Sequence, residues 1–196
     1  MPIRIPFCAL LALSAIGCSR HAPTAGIAPA AADALVAASS ECLPDRSGYL
    51  RLRVRGARNL DIDWRDAELQ CDGGPRPGQA GLRLTFAARN PSGEPRLRLV
   101  LGIAAPPGAG SSHAVPANVT LIFEGEDRLY STRGDDKCTI DELQQTPIAA
   151  THALRVAGRG FCAAPAAAID GRDDVLLSRF DFAGRVFDDS AADHPQ

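Results

Sequence analysis

A chain that does hydrolytic chemistry needs a nucleophile with a base, a metal cradle or a pair of carboxylates. This sequence offers fragments of each. Its four histidines are His21, His113, His152 and His194. Only His113 and His152 fall in the part that reads as folded, and ordinary surface positions account for both. There is no Gly-x-Ser-x-Gly elbow and no His-Glu-x-x-His, so neither an α/β-hydrolase triad nor a zinc-protease helix can be built. Asp61, Asp63 and Asp66 form an Asp-x-Asp-x-x-Asp string, and residues 170–174 read Asp-Gly-Arg-Asp-Asp. Neither carries the twelve-residue calcium-loop spacing with its distal glutamate. A glycosidase-type carboxylate pair is defined by separation in space and stays open at this point. Arg133-Gly134-Asp135 matches an adhesion tripeptide and Asn118-Val119-Thr120 a glycosylation sequon; loop chemistry alone explains the first.

The elements that would hold these residues are strands. Tyr49-Leu-Arg-Leu-Arg-Val-Arg55 puts Leu50, Leu52 and Val54 on one face and Arg51, Arg53 and Arg55 on the other, the period of a half-buried strand. Leu60-Asp-Ile-Asp-Trp64 continues the alternation, and a tight loop at Ala57-Arg58-Asn59 predicts a hairpin. The register expected there faces Val54 with Ile62, Leu52 with Trp64, Arg55 with Asp61 and Arg53 with Asp63. A second hairpin turns at Pro91-Ser92-Gly93. It predicts the pairs Ala88–Leu97, Phe86–Leu99, Leu84–Leu101 and Leu82–Ile103. Further strands are expected over 67–71, 118–125, 128–132, 138–143, 153–161 and 176–186. Short strands with frequent turn signals and no helical period predict an all-β fold. The architecture expected is an antiparallel β-sandwich or barrel of roughly eight strands.

Residues 105–116, Ala-Pro-Pro-Gly-Ala-Gly-Ser-Ser-His-Ala-Val-Pro, read as a long loop of small residues. Ser111, Ser112 and His113 are its candidate binding residues, since loops on a rigid scaffold often carry function. Arg51, Arg53, Arg55, Arg83, Arg96 and Arg98 could line a basic face. The nearby Asp61, Asp63 and Glu68 instead favour a solvated, salt-bridged one.

A formal net charge of −2 gives no reason to expect a nucleic-acid partner. Lys137 is the only lysine among 21 basic residues. At the amino terminus Arg4 precedes an apolar run from Phe7 to Ile16, too short for a membrane-spanning helix but of secretory length. Residues 18–45 are rich in Ala with scattered Pro, Ser and Gly, and read as a tether. The domain is expected over 46–188 and a frayed tail over 189–196.

Ala15-Ile16-Gly17-Cys18 resembles the lipobox of bacterial lipoproteins, with Ala15 standing where Leu is commonest. The resemblance covers only the first 18 residues. It implies a signal peptide over 1–17, a diacylglycerol on the Cys18 thiol, and acylation of the new amino terminus. The partner it implies is a membrane, reached through several acyl chains that together make a durable anchor. Ser19 after the cysteine matches the form sent to the outer membrane, facing the periplasm, in Gram-negative cells. Ordinary signal-peptidase cleavage after Ala15-Ile16-Gly17 is the rival reading and would leave a free Cys18. A fainter resemblance links Leu69-Gln-Cys71-Asp-Gly-Gly74 and Gly81-Leu-Arg-Leu-Thr-Phe86 to periplasmic lysozyme-inhibitor lipoproteins. Only Cys71 and its turn match, and no counterpart of that family's inhibitory Ser-Gly loop is present.

With Cys8 in the signal and Cys18 in the membrane, Cys42, Cys71, Cys138 and Cys162 remain. Four cysteines in an exported domain imply two disulfides with three possible connectivities. Cys42–Cys71 and Cys138–Cys162 are preferred because each joins neighbours in sequence. Zinc is disfavoured, since no Cys-x-x-Cys or His pair at ligand spacing accompanies them. No motif calls for a cofactor. The expectation is a lipid-anchored envelope protein that binds or supports rather than catalyses, with an envelope protein as a possible partner. An enzyme inhibitor and a carboxylate-dependent hydrolase are the alternatives. Mass spectrometry of the mature amino terminus should find a triacylated Cys18; an unmodified Cys18 there would reject lipidation.

Overall fold

The computed structural model describes residues 41–89 and 96–187. Cys18, the signal, most of the tether, the Pro91-Ser92-Gly93 turn and the tail lie outside the described residues. Eleven strands stand among those described, rather than about eight. They are β1 (Tyr49–Gly56), β2 (Leu60–Arg65), β3 (Leu69–Pro75), β4 (Leu82–Ala88), β5 (Arg96–Ile103) and β6 (Gly110–Glu124). After these come β7 (Arg128–Ser131), β8 (Cys138–Pro147), β9 (Ala153–Cys162), β10 (Ala166–Ala168) and β11 (Asp174–Phe187).

All pairs are antiparallel and belong to one sheet. β6 is long enough to pair with two strands on one side. Its first half, Gly110–Ala117, takes β8, and its second, Thr120–Phe123, takes β7. In the same way β11 takes β9 along Phe180–Phe187 and β10 at Asp174 and Val175. Thus β7 with β8, and β9 with β10, each share one position, which accounts for most of the surplus over the expected count. The sheet runs β2-β1-β11, across these two split positions, to β6-β5-β4-β3.

β11 runs on past the end of β1. β1 covers it from Gly56↔Val175 to Tyr49↔Ala183. Beyond Ala183 the sheet curls so that its far strand, β3, comes back against β11. A Cβ at Gly73 would lie 2.3 Å from the Arg185 carbonyl oxygen, so only glycine permits that approach. The curl encloses a single apolar core. Leu50, Leu52 and Val54 of β1 bury their side chains there with Leu84, Phe86, Leu99, Leu101, Val119, Leu121, Ile140, Val156, Phe180 and Phe182. Phe86 and Phe182 meet across it with ring centroids 6.0 Å apart. Each such side chain contributes about 1.5–3 kcal/mol of transfer free energy, and this face of the sheet holds the fold together.

Both preferred disulfides are present, Cys42–Cys71 and Cys138–Cys162. The second joins residues directly opposite in the β8–β9 ladder. The first ties the segment ahead of β1 to β3, and Cys42 and Leu43 are both buried.

The second predicted hairpin keeps its register: Leu82↔Ile103, Leu84↔Leu101 and Phe86↔Leu99 are paired, and the ladder ends at Ala87↔Arg98. The first is shifted by two residues. Leu52 faces Ile62, Leu50 faces Trp64, Arg53 faces Asp61 and Arg51 faces Asp63. The turn is longer than expected because Arg55 and Gly56 leave β2 and pair with β11. Gly56 takes φ +117°, and the Arg55 guanidinium donates to the Leu60 carbonyl at 3.1 Å. An even shift leaves every side chain on its expected face. Replacing Gly73 by Ala should force β3 away from β11 and cost about 1–3 kcal/mol, read as a lower urea midpoint at unchanged m-value.

Candidate functional site

The outward face of β2-β1-β11-β9-β8 is where the polar residues of the described chain gather. In register across these strands and into β6 stand Asp63, Arg51, Asp181, Arg159, Glu142 and His113. The signs alternate across the first five, and the sixth is a histidine. Arg51 bridges two acids, with its Nε 3.3 Å from Asp63 Oδ1 and its Nη1 3.8 Å from Asp181 Oδ2. Arg159 Nη2 lies 2.9 Å from Glu142 Oε2. Tyr49 donates its hydroxyl to Asp181 at 3.2 Å, and the Arg51 guanidinium lies 4.9 Å from the Tyr49 ring centre. Burial, with Asp181 alongside, raises the Tyr49 phenol above its usual value.

A second row runs beside the first. Arg53 and Arg55 share Asp61, at 3.1 and 2.8 Å, and the Arg55 hydrogen bond leads in drawing the Asp61 carboxyl below the usual range. A cavity of about 360 Å³ lies over these rows, lined by Arg51, Arg53, Asp61, Asp63, Arg179 and Asp181 among others. Exposed ion pairs contribute only about 0–1 kcal/mol each. Their partners can therefore be exchanged for charges on a ligand at little cost to the fold.

The sequence candidates disperse. Ser111, Ser112 and His113 lie in β6, not in a loop, opposite Gln144, Leu143 and Glu142 of β8. Their small and polar side chains carry no strand period, and pairing with β8 makes the strand. The connection from β5 to β6 is only residues 104–109, and it is pinned from below. Buried Gln145 donates to the Pro106 carbonyl at 3.0 Å and accepts from the Gly108 amide at 3.2 Å. Deleting residues 106–114 would therefore remove part of the β6–β8 ladder. His152 is exposed between β8 and β9.

The aspartate string also divides. Asp61 and Asp63 face outward to arginines, whereas Asp66 is buried and accepts from the Leu43 amide at 3.2 Å. Asp170 and Asp173 both lie near Arg128, at 3.3 and 3.6 Å. No group of three or more His, Cys, Asp or Glu among the described residues could hold a metal. Of the other arginines considered for a basic face, Arg83 pairs with Asp72 and Arg98 with Glu124, and Glu68 accepts from the Arg65 amide. Residues that sequence reasoning missed are Tyr49, Asp181, Arg159 and Arg179. One signal was present in Gly158-Arg159-Gly160: glycines inside a strand mark a bulge or a close backbone approach.

The adhesion tripeptide has a structural assignment. Asp135 is held by both terminal nitrogens of Arg76 at 2.9 Å and by Asn118 Nδ2 at 2.6 Å. It pins the 132–137 segment between β7 and β8 to the start of the β3–β4 turn. These bonds, Arg76 first, hold its carboxyl below the usual range.

Comparison with known proteins finds no matching family model, curated protein or solved structure.

The Arg76 side chain is buried, so loss of its partner should be felt. Asp135→Asn should cost about 2 kcal/mol near neutral pH. A depressed carboxyl stabilises the fold above its unfolded pKa, and that contribution vanishes as pH falls through the lowered native value. Urea melts of both proteins should therefore draw together as pH falls below the usual aspartate value near 3.9 and through the lowered native one.

Proposed function

We propose that the chain is a lipid-anchored binding module of a bacterial cell envelope. Acylated Cys18 holds it to the membrane, and the outer face of β2-β1-β11-β9-β8 is offered to a polar partner. The lipobox-like Ala15-Ile16-Gly17-Cys18 supports the anchor. The row Asp63–Arg51–Asp181–Arg159–Glu142 carries the binding reading. Its charges sit on a continuous backbone ladder, so their spacing across the sheet is fixed at roughly 4.7–4.9 Å per strand. A partner that presents alternating charges at that spacing exchanges one set of ion pairs for another without ordering any loop, which keeps the entropic cost of association low.

The full chain in neutral detergent should be retained by an immobilised envelope extract, and retention should fall with salt, as contacts between exposed charges do. An Arg51→Glu/Arg159→Glu variant should lose roughly tenfold or more in retention while its melting temperature barely moves. Equal retention of the variant, or retention indifferent to salt, would overturn this use of the face.

A further inference from the structure

Two β-bulges stand side by side on the same face. In the β1–β11 ladder Arg53 faces Arg179 and Val54 faces Leu177, so Ser178 is the extra residue. In the β8–β9 ladder Ile140 faces Gly160 and Glu142 faces Arg159, so Asp141 is the extra residue. Bulges re-aim side chains and concentrate beside binding sites. Here both aim into one place. A cavity of about 340 Å³ is lined by Asp141, Arg159, Gly160, Phe161, Ser178 and Arg179, every one of them at or beside a bulge. That volume is at the small end of the range for small-molecule sites.

The charges lining this cleft are unequally satisfied. Arg159 is paired with Glu142. The Arg179 guanidinium and the Asp141 carboxylate make no ion pair or hydrogen bond with any described residue, including each other, while the Asp141 carbonyl lies 3.3 Å from His113 Nδ1. Arg179 has no relief from its cross-strand neighbour, because that neighbour is Arg53 and like charges placed opposite repel. Arg53 in turn is engaged by Asp61. Among the described residues the cleft thus holds one unpaired cation and one unpaired anion, with Ser178 in the same lining. Phe161 is one of only three large apolar side chains exposed among the described residues, at 40 %.

We infer that this double-bulge cleft binds a small zwitterion of the α-amino-acid type with an apolar side chain. The ligand carboxylate lies at Arg179 and Ser178, its ammonium at Asp141, and its side chain against Phe161. A simple anion would leave Asp141 unmatched and repelled, and a simple cation would do the same to Arg179. Only a ligand carrying both charges relieves both residues at once. This rests on the reading of the outer face as a binding surface and names the ligand class of one part of it.

The test uses the full chain in neutral detergent micelles, titrated calorimetrically with phenylalanine, 3-phenylpropionate and 2-phenylethylamine. Phenylalanine should bind at least about tenfold more tightly than either single-charge analogue, the size of one charge-assisted contact. Arg179→Gln should reduce phenylalanine to the level of phenylethylamine, and Asp141→Asn to the level of phenylpropionate. Both residues are exposed at the surface, so melting curves should match the parent. Phenylpropionate binding as well as phenylalanine would make the cleft an anion site, and phenylethylamine doing so would make it a cation site. Either result, or no phenylalanine binding up to its solubility, overturns the inference. Arg159 lines the cleft as well as the face. The face is therefore read by envelope retention of Arg51→Glu alone, a position outside the cleft lining, and the cleft by calorimetry. Failure of one is then distinguishable from failure of the other.

Discussion

The fold depends on β3 packing against the end of β11. β1 is laddered to β11 only as far as Ala183, and beyond it β3 lies against Arg185 and Val186. Without that contact the curl of the sheet would open and the apolar face would be exposed. With it, one core forms. Two local features make it possible. Gly73 removes the side chain that would strike the Arg185 carbonyl, and the Cys42–Cys71 bridge fixes the approach to β1 against β3. This closure covers the apolar face, while β2 and β3 each keep one edge without a ladder among the described residues. Of the two, β2 carries Asp61, Asp63 and Arg65 along its exposed face, and such charges discourage edge-to-edge pairing.

Closure also separates the two energies of the molecule. The inner face supplies nearly all the stabilisation through Leu, Val and Phe burial, while the outer ion pairs supply little. The outer face is then free to vary in its partners without threatening the core. The two bulges show how a regular ladder yields an irregular surface. Each adds one residue to one strand, leaves the inner face in step, and turns Ser178 and Asp141 into a shared cleft.

Much of this was legible in the sequence because period-two alternation is a strong signal. The Leu82–Ile103 hairpin could be registered because apolar residues on both arms meet in only one way around its turn. The Leu50–Trp64 hairpin could not, since Arg and Asp alternate on both strands and a shift of two satisfies the charges equally well. The choice fell to Gly56 and to β11, which lies over a hundred residues away in sequence. The first half of β6 was hidden for another reason. Ser111, Ser112 and His113 have no strand character of their own and become a strand by pairing with β8. The cleft was nearly as hidden, because a bulge is a mismatch between two strands, and only the glycines flanking Arg159 hinted at one. The three-residue β10, made only of alanine, carries no period at all.

The Cys42–Cys71 bridge has a mechanical meaning. Tension arriving along the chain from its amino-terminal side reaches Cys42 before it reaches Tyr49. A covalent bond there passes the pull sideways into β3, which is laddered along its length to β4. β1 is spared from being unzipped pair by pair from β2 and β11. The load then falls on the β3–β4 ladder and on the packing of β3 against β11.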